Sequence, residues 1–192
     1  YMNSYSADDA DPPYIPPGWD QFVVITKRRS WEDYRVVTGS STYDAPGEGR
    51  ERRQTQYLPY FERDMALDFI ENNWQSPFFL FFSTHVPHGP ATPAEGDEEL
   101  FSDFSYRDRS WGEEDLSDKP AWVRHRSENF TDHIAIEDEF TRDQLRSLQA
   151  LDRAVNDTIN KLNEKGVLDK TVIIYVGDNG YQWGEHRQYK KG

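Results

Sequence analysis

Two short, unbroken apolar runs constrain this chain more than any other feature: Pro77-Phe78-Phe79-Leu80-Phe81-Phe82 and Thr171-Val172-Ile173-Ile174-Tyr175-Val176. A strand with one wet face alternates apolar and polar residues, whereas a continuous run suits a strand covered on both faces, as in the sheets of α/β folds. Each run follows a helical pattern. Leu58, Phe61, Met65, Phe69 and Ile70 recur at helical spacing before the first. Phe140, Leu145, Leu148, Leu151, Val155, Ile159 and Leu162 form a stripe before the second, and Gly166 supplies the stop. The spacing predicts helices over 58–73 and 138–165, packed on one mostly buried sheet in which strands 77–82 and 171–176 run parallel.

The remaining segments read as insertions into that α/β frame. Residues 1–56 are rich in Pro, Gly, Ser, Tyr and charge and read as irregular surface decoration with short strands: an apolar piece, Gln21-Phe22-Val23-Val24-Ile25, and a hairpin around Tyr34–Gly39. Residues 90–135 lack sustained periodicity and predict a long excursion over the rim of a site. The hydrophobic share is 35% and the charged share 30%, a modest core for 192 residues, offset in part by 6 Trp, 11 Tyr and 11 Phe. No run reaches membrane-spanning length.

The formal net charge of −13 argues against nucleic acid or an anionic membrane as partner, since both require a basic surface. The acidic runs Glu95–Glu99 and Glu113–Asp118 read as solvated faces, and Arg142, Arg146 and Arg153 as solvated or in surface ion pairs. The absence of cysteine excludes disulfides, thiolate metal sites and a cysteine nucleophile in these residues. Asn129-Phe130-Thr131 and Asn156-Asp157-Thr158 have the form of glycosylation acceptors, and triplets this short also arise by chance.

Chemistry concentrates where the two runs end. Asp178 and Asn179 place a carboxylate beside a carboxamide at the end of run 171–176, the oxygen pair a Ca²⁺ or Mg²⁺ ion accepts, although Asp-Asn-Gly is also a common turn. Ser83-Thr84-His85-Val86-Pro87-His88-Gly89-Pro90 follows the other run, and the prolines around His88 restrict the segment that carries its imidazole. Taken alone, His85 reads as a packing or surface residue, His88 as a loop residue, and Lys190-Lys191 as a solvated pair.

Taken together and in order, these segments carry a resemblance. Pro77–Leu80 through His88-Gly89-Pro90, then Asp118-Lys119-Pro120-Ala121-Trp122-Val123-Arg124, Leu148–Asp152, Gly177-Asp178-Asn179-Gly180 and Gly184-Glu185-His186-Arg187 resemble the type I sulfatases of the alkaline-phosphatase-like superfamily, and among them the N-acetylglucosamine-6-sulfatase and arylsulfatase branch. Tyr1–Tyr5 and Pro16–Asp20 look like the same branch, in which Met2 stands where many members have a histidine. The resemblance implies a doubly wound mixed sheet flanked by helices. It further implies a sulfated sugar or aryl sulfate as substrate, Ca²⁺ as cofactor, and a secreted, periplasmic or lysosomal location.

It also implies roles. Asp178 and Asn179 would be Ca²⁺ ligands, with Asp178 near the nucleophile as proton acceptor. His88 and Lys191 would contact the sulfate, with Lys190 the rival of Lys191, and His186 and His85 would stand at the substrate rim. The family's nucleophile is a formylglycine made from Cys-x-Pro-x-Arg or Ser-x-Pro-x-Arg, and neither motif occurs here. The family's first aspartate pair is absent too, since Asp8-Asp9 sit in a polar loop with no preceding apolar strand. The expectation is therefore an internal part of a sulfatase catalytic domain, inactive and poor in Ca²⁺ binding by itself. A phosphoric or phosphonic ester hydrolase of the same superfamily is the second reading, and a non-catalytic binding module the third.

Overall fold

The computed structural model describes Tyr5, residues 12–126 and residues 134–191. Met2, Asp8, Asp9, Asn129 and His133 lie outside the described residues. The chain divides into two compact units, residues 1–85 with 150–170 and residues 86–149 with 171–192.

The first unit is built on a three-stranded antiparallel sheet of β2 (Phe22–Ser30), β3 (Asp33–Gly39) and β5 (Arg50–Gln54), with β3 in the middle. Small strands β1 (Tyr14–Ile15) and β4 (Gly47–Glu48) pair beside it. The segment expected to be decoration thus holds the longest strands among the described residues. Its cross-strand pairs explain why: Val24 faces Val37 and Ile25 faces Val36, so β-branched residues meet across the ladder. Ile15, Phe22 and Val37 form a small core on one face, joined by Tyr5, Trp19 and Val24. On the other face Tyr34 meets Phe61 edge-on at 5.9 Å.

Phe61 belongs to α1 (Leu58–Asn73), the helix predicted from apolar spacing. No side chain caps its N-terminus; the Leu58 N–H instead donates to the Trp31 carbonyl at 2.8 Å, and a proline sits in the first turn, where its missing N–H costs nothing. Leu58, Phe61, Ala66 and Ile70 are buried. The second half of α3 (Ile134–Glu164) buries Ala150, Leu151, Ala154 and Leu162 in the same unit. Lys161 and Lys165 both reach Glu71, at 3.1 and 2.5 Å. At the helix end Gly166 adopts φ +68°, and the Val167 N–H donates to the Leu162 carbonyl at 3.0 Å, a Schellman closure.

The second unit holds α2 (Ala121–Arg126), the first half of α3, and a hairpin of β6 (Gln182–Trp183) with β7 (Tyr189–Lys190). Residues 90–120 form turns and loops, as the missing periodicity implies. Here the buried face of α3 is polar. Thr141, Gln144, Arg146 and Ser147 are buried, while Leu145 and Leu148 are only half-buried. Arg146, expected at the surface, is sequestered because its guanidinium donates to the Leu100 carbonyl at 2.8 Å and to Glu139 and Asp143 at 2.8 and 2.9 Å. Each bond offsets part of the desolvation of the charge.

The mixed α/β class holds, but neither apolar run is a strand of a sheet. Phe79, Val172 and Ile174 are 76, 85 and 78% exposed. A strand exists only as half of a ladder, and the ladders among the described residues are local antiparallel ones in which neither run takes part. The expected parallel pairing of 77–82 with 171–176 is therefore absent from the structure.

Candidate functional site

The loop after run 171–176 carries the acidic end of the candidate site. Asp178 is exposed, and its Oδ1 accepts the Asn179 backbone N–H at 2.9 Å. The Asn179 Nδ2 donates to the Gly180 carbonyl at 2.8 Å, which fixes the orientation of the carboxamide. Its Oδ1 then meets the Lys191 ammonium at 3.4 Å. The fold thus brings Asn179 and Lys191 together across the β6–β7 hairpin. Lys190 lies within β7, opposite Gln182, with φ +73°.

That hairpin is held by unusual backbone. His186, Arg187 and Lys190 have positive φ, and so does Gly184 at +116°. A Cβ on Gly184 would stand 2.4 Å from the Trp111 indole nitrogen, so the close approach of these residues requires glycine there. Trp111 forms a bridge with Glu185, whose carboxylate accepts the Trp183 N–H at 2.7 Å. The same carboxylate receives the Tyr106 hydroxyl, and that hydrogen bond, ahead of desolvation, pushes the phenol up to about 12. Trp183 is pinned further by its indole N–H on Gln144 at 2.7 Å.

His186 is half-exposed, and its Nδ1 lies 2.5 Å from Glu113 Oε2. Lys119 approaches the other oxygen of Glu113 at 3.2 Å. The His186 hydrogen bond, with a further contribution from Lys119, holds the Glu113 carboxyl below its usual range against the opposing effect of desolvation. Glu113 lies in an acidic run read as solvated, so its sequence neighbours disguise a pairing made over 73 residues.

His88 is exposed, with its Nδ1 2.9 Å from the Gly89 carbonyl. A carbonyl only accepts, so Nδ1 carries a proton towards it and Nε2 is the ring nitrogen directed elsewhere. His85 belongs to the first unit. Its Nδ1 sits 2.7 Å from Glu62 Oε1, while Thr84 donates to Oε2 at 2.9 Å. Glu62 bears no sequence signal beyond a carboxylate one turn into α1.

Among the described residues no three His, Cys, Asp or Glu side chains converge to hold a metal ion. Asp178 and Asn179 supply the hard oxygens that Ca²⁺ takes, but only two of roughly six to eight. The donor chemistry fits such an ion, and the donor number is partial.

The mixed α/β class agrees with the resemblance in the sequence. The family model described as Sulfatase matches residues 3–192, and the chain belongs to the sulfatase family. It is 33% identical over 196 residues to the Caenorhabditis elegans "Putative extracellular sulfatase Sulf-1 homolog", an alignment covering 96% of this chain and 26% of that protein. It is 39% identical over 202 residues to an arylsulfatase of Volvox carteri, covering 90% of this chain and 30% of the relative. With the N-acetylglucosamine-6-sulfatase of Capra hircus it shares 28% over 191 residues, 96% of this chain and 33% of the relative. The chain thus spans about a quarter to a third of the length of these relatives.

Proposed function

We propose that the protein is a sulfuric ester hydrolase acting on a sulfated sugar or an aryl sulfate. The family match over residues 3–192 carries this reading. Hydrolysing a sulfate ester requires attack at sulfur, stabilisation of charge on the sulfuryl oxygens and a proton for the departing oxygen. Lys191 brings a positive charge to the loop of Asp178 and Asn179, where a sulfuryl oxygen would sit. His88, with Nδ1–H directed to the Gly89 carbonyl, would use a protonated Nε2 to donate to a sulfuryl oxygen or to the leaving oxygen. Asp178, a carboxylate in the same loop, would accept a proton from the attacking hydroxyl. His186, oriented by Glu113, would contact the rest of the substrate.

Asp178 and Asn179 would hold Ca²⁺ with two oxygens, and such an ion, when bound, supplies further charge stabilisation at the sulfuryl oxygens. The formylglycine nucleophile implied by the resemblance has no counterpart in these 192 residues, which contain no cysteine, and no attacking role is assigned to them. The relative named extracellular supports a location outside the cytoplasm. No helix among the described residues is long and apolar enough to cross a membrane.

The test is release of sulfate from an aryl sulfate by the full-length protein, run beside release of phosphate from the matching aryl phosphate. Sulfate release supports the proposal. Phosphate release alone would transfer the site to phosphoric or phosphonic ester hydrolysis, and release from neither would leave a binding module.

A further inference from the structure

We propose that the groove between the β2–β3–β5 sheet and α1 is an auxiliary subsite that binds one anionic unit of a sulfated polysaccharide. The inference rests on the sulfated-substrate reading and goes beyond it, because none of the residues assigned to catalysis lines this groove. The cavity has a volume of about 290 Å³, and its lining includes Gln21, Thr38, Arg52, Gln54, Phe61 and Met65. That is at the small end of ligand sites and suits a single ring.

Charge is the first argument. The molecule carries a formal −13, yet residues 21–56 hold seven Lys and Arg against five Asp and Glu. A polyanion repelled by most of the surface therefore meets an opposite local field here. Neighbouring Arg35 and Arg53 are neutralised by Glu51 at 2.5 Å and Asp33 at 2.7 Å. Among the described residues, Arg50 and Arg52 have no carboxylate partner. Arg52 donates to the Thr38 hydroxyl at 3.5 Å, the long limit of a hydrogen bond, which leaves most of its five donors for a ligand.

Geometry is the second argument. Arg50 is the ladder partner of Thr38, and Arg52 stands two residues along the same strand. Cross-strand partners and alternate residues share a sheet face, so both guanidinium stems leave the groove side of the sheet, roughly 7 Å apart at the backbone. Guanidinium forks match the oxygens of a sulfate or carboxylate. Gln21 and Gln54 bring amides suited to sugar hydroxyls, and the half-buried Met65 gives an apolar contact for the C–H face of a ring. Phe61 is only 5% exposed and cannot serve as a platform for stacked bases, which favours a saccharide over a single-stranded nucleic acid.

The test is titration of the full-length protein, at two salt concentrations, with a sulfated hexasaccharide, its desulfated counterpart and phosphatidylserine vesicles. The sulfated hexasaccharide should bind. The Arg50→Ala/Arg52→Ala variant should weaken it about tenfold or more, and Met65→Trp, which fills the cavity, should weaken it as well. Turnover of a small aryl sulfate should be unchanged in both variants. Equal binding of the desulfated sugar, binding of vesicles in place of sugar, or full affinity in Met65→Trp would each overturn the subsite. Absence of aryl sulfate turnover in the unaltered protein would instead fault the sulfatase reading, since hexasaccharide binding is read independently of it.

Discussion

At the residue scale, the candidate site consists of side chains whose orientation is set by neighbours the sequence does not advertise. Asn179 presents Oδ1 to Lys191 because its amide nitrogen is held by the Gly180 carbonyl. On the proposed sulfatase reading, His88→Ala and Lys191→Ala in the full-length protein should each lower kcat by about 10²-fold with little change in KM, because both would act on charge that grows in the transition state. Lys190→Ala should be mild. Steady-state kinetics on an aryl sulfate decides it: normal kcat in the His88 variant removes that residue from the mechanism, and a larger loss at Lys190 moves the sulfate-binding role back one position. Glu113 makes a separate prediction about pH. Its carboxyl is held below the usual range by the His186 hydrogen bond, so folding favours the ionised form. The stabilisation is complete above the ordinary glutamate range and is lost as pH falls through the lowered value. Thermal melts should show the unaltered protein above Glu113→Gln at neutral pH, with the two converging in acid; a constant gap would contradict the linkage.

At the element scale, two glycines test how the backbone carries the site. Gly166 has open space around its missing Cβ, so Gly166→Ala meets only the left-handed backbone penalty, about 1 kcal/mol. Gly184 has both a positive φ and Trp111 within 2.4 Å of a Cβ. Gly184→Ala should therefore cost distinctly more, about 3 kcal/mol or above, and disturb the pairing of β6 with β7. Urea unfolding compares the two, and equal costs would mean that the hairpin gives way at no expense. The apolar runs make the opposite point. Phe79 and Ile174 are exposed, so Phe79→Ser and Ile174→Ser in this chain should change stability by no more than about 0.5 kcal/mol. Ile70→Ala, at a fully covered position of α1, should cost about 3 kcal/mol. A large loss at Phe79 or Ile174 in the same unfolding assay would indicate that these runs are covered in solution.

At the scale of the whole molecule, Asp178 and Asn179 offer Ca²⁺ two side-chain oxygen donors, and among the described residues no three His, Cys, Asp or Glu side chains converge to hold a metal ion. Calorimetry on residues 1–192 should show no tight, stoichiometric Ca²⁺ binding, and a strong site would point to oxygens other than Asp178 and Asn179. By itself the sequence determined what depends on near neighbours. Helix α1 begins and ends where the apolar spacing of Leu58, Phe61 and Ile70 places it, the Tyr34–Gly39 strand lies in a hairpin, and α3 stops at Gly166, because each rests on interactions within a few residues. Asp178, Asn179, His88 and Lys191 were legible as candidates through ordered motifs along the whole chain. Tertiary structure decided the rest. Whether an apolar run becomes a strand depends on a ladder partner, which the composition of 77–82 and 171–176 cannot supply. Which face of α3 is buried depends on what packs there, so Arg146 and Gln144 went inside while Leu145 and Leu148 stayed half-covered. The pairings of Glu113 with His186 and Glu62 with His85 join residues 73 and 23 positions apart, distances at which spacing carries no signal and only the folded chain sets the contact.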